Sequence, residues 1–343
     1  MIGIGVIGYG YWGPNLVRNF IEAPGAQIVA VSDLREERLA AVKARYPAIK
    51  TTRNYNDLLT DSSIDAIVVA TPISTHFELA MQSLQAGKHA LVEKPLTATV
   101  DEGLRLLEEA EKYNRILMVD HTFIYTGAVR KIKEIISQGL LGPIYYYDSV
   151  RVNLGLIQHD VNVLWDLAVH DLSIMDFVLG QQPCAVSATG QSHVGKMEDI
   201  AYMSCIFDDG LIAHIHANWL APVKVRRTLI GGGNQMIVYD DLEPSEKVKI
   251  YDKGVTLNGN GGSEKAYQRM VEYRSGDMWA PKLNTTEALY LEVLHFIDCI
   301  TSNRHPITDG EAGLRTVHLL ESANRSLKQN GQPVELTWER VAV

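Results

Sequence analysis

Cysteine is scarce in this chain. Three occur, Cys184, Cys205 and Cys299, too far apart for a disulfide framework or a metal-ligand spacing. That fits the reduced thiols of a cytoplasm, and no metal site is expected. A surplus of positive charge is also lacking: 41 acidic against 32 basic side chains leave a net charge of −9. This argues against nucleic acid as a partner, because a phosphate backbone calls for basic faces. One phosphate group on a small ligand could still sit at a helix N-terminus. No apolar run is long enough to span a bilayer. The opening MIGIGVIGYGYWG has neither a charged leader nor a cleavage site. A cytoplasmic protein with a small-molecule ligand and no membrane partner is the expectation, and no repeat of solenoid length is present.

What is there reads as two domains, since 343 residues exceed one ordinary core and the 46% hydrophobic content is average for globular chains. Up to about residue 120, strand and helix patterns alternate. Strand-like runs at 3–7, 27–32, 65–70, 89–92 and 116–119 are separated by helical stretches at 15–22, 36–46, 76–86 and 100–113. Such alternation predicts an α/β, doubly wound parallel sheet of the Rossmann kind over residues 1–120. From 121 to 343 the grammar changes to α+β. Helices are expected at 127–138 and 163–178, and long strands at 143–153, 184–190, 200–207, 211–219, 225–230 and 235–239. Two more helices close the chain at 286–301 and 309–329. Turn signals such as Asp208-Asp209-Gly210 predict an open, mainly antiparallel sheet flanked by helices. The glycine-rich stretch 256–263 reads as a surface loop, since no strand leads into it and no helix opens after it.

Gly8-Tyr9-Gly10-Tyr11-Trp12-Gly13 follows a strand and opens a helix. In that setting the glycines supply a tight turn, a close backbone approach to a pyrophosphate, and close helix–strand packing, so a dinucleotide is the expected ligand. Asp33, some twenty residues on, stands where a carboxylate accepts the adenosine ribose hydroxyls, which predicts NAD; nearby Arg35 and Arg38 leave dual use of NADP open. Thr71-Pro72 with His76 and Glu93-Lys94-Pro95 follow two strands at their carboxyl ends, the edge at which such sheets bind ligands. Lys94, between a buried strand and a proline turn, is a candidate catalytic cation. Asp166 and His170 are four residues apart on a predicted helix. They can form a proton-transfer pair, because histidine titrates near neutrality, or a cap or core hydrogen bond.

Taken together these residues resemble the glucose–fructose oxidoreductase and inositol 2-dehydrogenase family, Gfo/Idh/MocA. The motifs are the glycine turn, Thr71-Pro72 with His76, Glu93-Lys94-Pro95, Asp166-x-x-x-His170 and the helix opening at Asp309-Gly310-Glu311. The resemblance implies that Gly8, Gly10, Tyr11, Trp12, Gly13, Asp33, Thr71, Pro72, His76, Glu93 and Lys94 bind NAD. It implies that Lys94, Asp166 and His170 form the catalytic set and touch the substrate. The family's Asn-Arg-Arg-Phe-like segment is replaced here by Asp120-His121-Thr122-Phe123-Ile124-Tyr125. That form, with Gly10-Tyr11-Trp12-Gly13-Pro14-Asn15 and the segment 151–155, is similar to members acting on nucleotide sugars, UDP-N-acetylglucosamine 3-dehydrogenases among them. Tyr125, Arg151, Asn153 and His159 are candidate substrate contacts. Tyr145, Tyr146 and Tyr147 are expected to line the sheet or a subunit interface, as are His214 and His216, which lack a third metal ligand. An open sheet with an apolar face calls for a homo-oligomer, a dimer or a tetramer. Other readings are an inositol or free-sugar dehydrogenase, an NAD-dependent glycosidase, and a non-catalytic NAD(H) sensor.

Overall fold

The computed structural model describes residues 1–155, 157–158, 160–257 and 271–338. They fall into two compact units. The first joins Met1–Thr126 with Thr286–Glu321 and Trp338, and the second lies within Gly127–Thr285 and Ser322–Thr337.

In the first unit six parallel strands stand in the order β3-β2-β1-β4-β5-β6. They are β1 Ile2–Ile7, β2 Ala26–Ser32, β3 Lys50–Thr52, β4 Ala66–Val69, β5 His89–Glu93 and β6 Leu117–Asp120. Their apolar runs are continuous because helices cover both faces, and all four residues of β4 are buried. Helices α1 Gly13–Glu22, α2 Glu36–Arg45, α3 Asn56–Thr60, α4 His76–Gln85 and α5 Val100–Lys112 fall between the strands. The expected strands and helices are present, to within about two residues at their ends. Strand β3 and helix α3 were not expected: KTT and NDLLT are too short and too polar to show a period. Strand order reverses between β1 and β4, which opens a crevice at the carboxyl ends of those strands.

In the second unit α6 Gly127–Ser137 precedes a nine-stranded sheet centred on β7 Ile144–Leu154. The other strands are β8 Ala185–Gln191, β9 Ile200–Ile206, β10 Ile212–Asn218, β11 Leu220–Gly232, β12 Met236–Asp240, β13 Val248–Tyr251, β16 Met278–Trp279 and β17 Val334–Glu335. Every neighbouring pair is antiparallel except β7 and β10. A separate ladder pairs β14 Gly254–Leu257 with β15 Val271–Arg274. Thr256 and Leu257, expected in a surface loop, are therefore strand residues, and the rest of that stretch lies outside the described residues. Helix α7 Val169–Leu179 ends at Gly180, whose φ of 69° closes it with a left-handed residue. It is held to β7 from below: Tyr147 donates its hydroxyl to the Asp171 carbonyl, and Arg151 and Ser149 grip the Asp171 carboxylate. Helices α8 Ala288–Ser302 and α9 Gly310–Lys328 close the chain. Helix α8 packs on α1 in the first unit, with the Phe20 and Phe296 rings edge to face at 6.4 Å.

Candidate active site

In the first unit the glycine turn connects β1 to α1. Gly8 has φ +99°, and a Cβ there would lie 2.5 Å from the Ala70 carbonyl oxygen. A Cβ on Gly13 would lie 2.3 Å from the Gly8 carbonyl oxygen. Glycine is thus required at both, for conformation at the first and for close passage of helix against turn at the second. Asp33 closes the other side of the cradle. Its carboxylate accepts the amides of Tyr9 at 2.7 Å and Arg35 at 2.9 Å and the Arg38 guanidinium at 3.2 Å. Burial by itself would raise the Asp33 pKa, but the hydrogen bonds from Arg35 and Tyr9 and the Arg38 charge outweigh it and hold it below the usual carboxylate value. Three bonds against a carboxylate's roughly four lone-pair sites leave acceptor capacity for a ribose hydroxyl. Tyr11 is 88% exposed and stacks on Trp12, ring centroids 6.4 Å apart.

The carboxyl ends of β4, β5 and β6 supply the next group. His76 is buried at the start of α4, and its ring bridges the Thr71 and Pro95 carbonyl oxygens at 2.8 Å each. Burial pushes its pKa down. The neutral ring carries one N–H, so it donates to one of these two carbonyls, and it sits wedged between the segments that follow β4 and β5. Glu93 and Asp120 are register partners on β5 and β6. Glu93 accepts the Lys94 amide at 3.0 Å, and burial together with the adjacent Asp120 raises its pKa well above the ordinary value. Trp12 donates its indole N–H to Asp120 at 2.8 Å, which ties the glycine turn to the end of β6. Tyr125 is buried, with its hydroxyl 3.2 Å from that of Thr308 and its ring 5.7 Å from His295.

In the second unit Asp166 lies in a wider, π-helical turn, Leu164–Ala168, that runs into α7, and His170 is in the first turn of α7. The expected regular helix over 163–178 is thus interrupted. With more than 3.6 residues per turn, the spacing of four no longer sets the two side chains on one α-helical row. Asn162 caps this segment, its side-chain oxygen accepting the Leu164 and Trp165 amides. Trp219, 1% exposed, donates its indole N–H to Asp166 at 2.9 Å. Gly155 lies flush on that indole, since a Cβ there would come 2.7 Å from the ring and 3.2 Å from the Asn153 amide nitrogen. Asn153, Gly155, Trp219 and Asp166 are therefore grouped.

Arg151 is placed differently from its expected role. It is 2% exposed, with Nε 2.6 Å and Nη2 3.2 Å from the two Asp171 carboxylate oxygens. The structure engages it between β7 and α7, turned inward. His159 lies outside the described residues. Tyr147 lines the buried side of the sheet, Tyr146 donates to the Met236 sulfur at 3.1 Å, and Tyr145 is exposed. His214 and His216 share one sheet face with Tyr202, whose ring stacks on His216 at 4.4 Å, while His214 Nδ1 lies 3.2 Å from Asp148. Among the described residues no group of three His, Cys, Asp or Glu could hold a metal ion, and no helix is long and apolar enough to cross a membrane. Trp219 was not singled out in the sequence. It sits in the bend between β10 and β11, and no local spacing signals that its partner is 53 residues away.

A doubly wound sheet with this cradle, and with Thr71, Glu93 and Lys94 at its ligand-binding edge, defines a dinucleotide-dependent oxidoreductase. Residues 2–121 match the oxidoreductase family with the NAD-binding Rossmann fold, and residues 129–238 match the GFO/IDH/MocA C-terminal domain. The chain belongs to this Gfo/Idh/MocA family, and its cofactor is NAD. Myo-inositol 2-dehydrogenase of Thermotoga maritima is 26% identical over 95% of this chain and 96% of its own. UDP-N-acetylglucosamine 3-dehydrogenase of Acidithiobacillus ferrooxidans is 27% identical over 91% and 93%. A solved structure of the latter superposes with a TM-score of 0.81 at 25% identity, covering 96% of this chain and 99% of its own.

Proposed function

We propose that the chain oxidises a secondary alcohol of a sugar, a nucleotide-linked one such as UDP-N-acetylglucosamine, at C3 to the 3-keto sugar. In this reading residues 1–120 hold the cofactor, and residues 121–343 carry the substrate side and the contacts of a homo-oligomer. The reading rests on two features, the NAD cradle of the first unit and, in the second, a carboxylate, Asp166, that is held by Trp219 and followed four residues later in sequence by His170. NAD supplies the hydride acceptor. As hydride leaves the carbon, His170 takes the hydroxyl proton, since an imidazole can serve as the base in such a step. Asp166 stabilises the imidazolium that forms, and Lys94 offsets the alkoxide charge that develops before the ketone is complete. The Asp120–Tyr125 segment supports a nucleotide-sugar substrate, as does the Acidithiobacillus relative. The Thermotoga relative supports a second reading, an inositol.

The test is absorbance of reduced nicotinamide with NAD and a panel of UDP-sugars, free sugars and inositols, repeated with Lys94→Ala. The expected result is turnover of UDP-N-acetylglucosamine, lowered by about a hundredfold or more in the variant, on the scale of losing one electrostatic stabiliser. Turnover confined to inositols would move the assignment to the second reading. Silence across the panel with NAD bound would remove both.

A further inference from the structure

Glu292 lies on α8, within the first unit, and is fully buried, yet neither of its carboxyl oxygens has a donor when it is treated as ionised. The same holds for Oε1 of Glu93. Both side chains reach Asp120. Asp120 itself accepts the Trp12 indole on Oδ2 and the Thr122 hydroxyl on Oδ1. Lys94 and His121 are the other charged or titratable groups beside them, and His121 is buried with its pKa pushed by that burial to about 3, so it contributes no charge at neutral pH.

Three negative charges within hydrogen-bond reach cannot coexist in such a place. The donors decide where the charge goes. Asp120 already accepts an N–H and an O–H, whereas Glu93 has only the Lys94 amide and Glu292 only a share of the Thr122 hydroxyl, and both glutamates are raised chiefly by burial and then by Asp120. Treated as acids, Glu93 and Glu292 each donate to Asp120, and both orphaned carboxyls acquire a partner. Asp120 then accepts from four groups, Trp12, Thr122, Glu93 and Glu292, against a carboxylate's roughly four sites.

We propose that Glu292 is a positioning residue of the NAD pocket: it donates its carboxyl O–H to Asp120, and Asp120 in turn holds Trp12 and with it the glycine turn against the end of β6. The sequence distance is large, since Trp12 and Asp120 are 108 residues apart and Glu292 comes from a helix near the end of the chain. Glu292 touches no reacting atom; it acts through Asp120 and Trp12.

The test measures NAD affinity by direct titration of the full chain. Glu292→Gln keeps a donor, its amide N–H, and is expected to bind NAD within about twofold of the parent. Glu292→Leu removes the donor and is expected to bind about fivefold to tenfold more weakly, the scale of one net hydrogen bond. Trp12→Phe is expected to weaken binding by a similar factor, and the double variant Trp12→Phe/Glu292→Leu to be no weaker than Trp12→Phe alone, because both changes break one chain of contacts. Equal loss in the glutamine and leucine variants, or losses that multiply in the double variant, overturns the proposal. Infrared spectroscopy decides it even if the leucine variant does not fold. The parent at neutral pH must show a protonated-carboxyl band that diminishes in Glu292→Gln, and a parent without that band refutes the assignment.

Discussion

In the proposed function the role of Asp166 depends on a contact far along the chain. Its carboxylate is fixed by the Trp219 indole, against which Gly155 packs. Trp219→Phe keeps the ring and deletes the donor. A carboxylate released from that bond is oriented less well for the histidine one turn away, so kcat is expected to fall about tenfold with KM little changed, the pattern of an interaction that matters in the transition state. Steady-state kinetics separates the two, and a rise in KM alone would assign Trp219 to substrate binding. At the same scale, the turn that needs glycine at Gly8 and Gly13, and the place of Asp33 beside it, were legible in the sequence because they follow from local backbone geometry and position after a strand. Glu292 and Trp219 were not. Their meaning comes from a partner, and one glutamate in a helix or one tryptophan at the end of a strand looks like any other.

Elements carry the next level. Helix α7 is joined to β7 through Arg151 and Asp171, both buried, with Ser149 and Tyr147 completing the grip. Removing one partner leaves a buried charge without its counterion. Asp171→Ala is therefore expected to lose about 3–5 kcal/mol of stability by urea unfolding. Replacing Arg151 and Asp171 together by apolar residues is expected to recover much of that. A loss below about 1 kcal/mol for the single variant would mean the pair behaves like an exposed one. Sequence pattern identified the strands of the first unit because fully buried parallel strands are apolar throughout. It did not separate Arg151 from a substrate contact, since an arginine in a strand reads the same whether it faces a ligand or an aspartate on the covering helix. The π turn at Leu164–Ala168 was also invisible, because LWDLAVH has good helical periodicity and nothing in it signals a wider turn.

For the molecule as a whole, pH dependence follows from groups buried in the first unit. Burial lowers the pKa of His76, of His89 to about 4 and of His121 to about 3. The unfolded chain takes up protons on these rings as pH falls below about 6.5 while the folded chain does not, so their contribution is present above that pH and is lost on acidification. Glu93 and Glu292 are raised well above their ordinary value. Their contribution is present below about pH 4.5 and is lost as pH rises, because the folded chain keeps protons that the unfolded chain releases. Between these limits the histidines, with His216 added, oppose the carboxyls, to which Asp309 and Glu311 add, and above about 6.5 the carboxyls act alone. The unfolding midpoint is expected to decline above about pH 6.5, and Glu292→Gln to flatten that decline. A midpoint that climbs steadily from pH 6.5 to 8 in the parent would contradict this balance.

The sequence by itself determined the parallel sheet, its glycine turn, the NAD cofactor and the family, because each rests on local spacing: alternation of strand and helix, glycine where backbone must approach backbone, and the order of short motifs along the chain. Only the tertiary structure decided that residues 286–321 pack with the first unit, that Arg151 faces Asp171, that Trp219 holds Asp166, and that Glu93, Asp120 and Glu292 converge behind Trp12. Those are long-range meetings. Hydrophobic burial, which is non-directional, drives the collapse, and which polar groups are then forced to satisfy one another depends on the packing of distant segments, which no local pattern records.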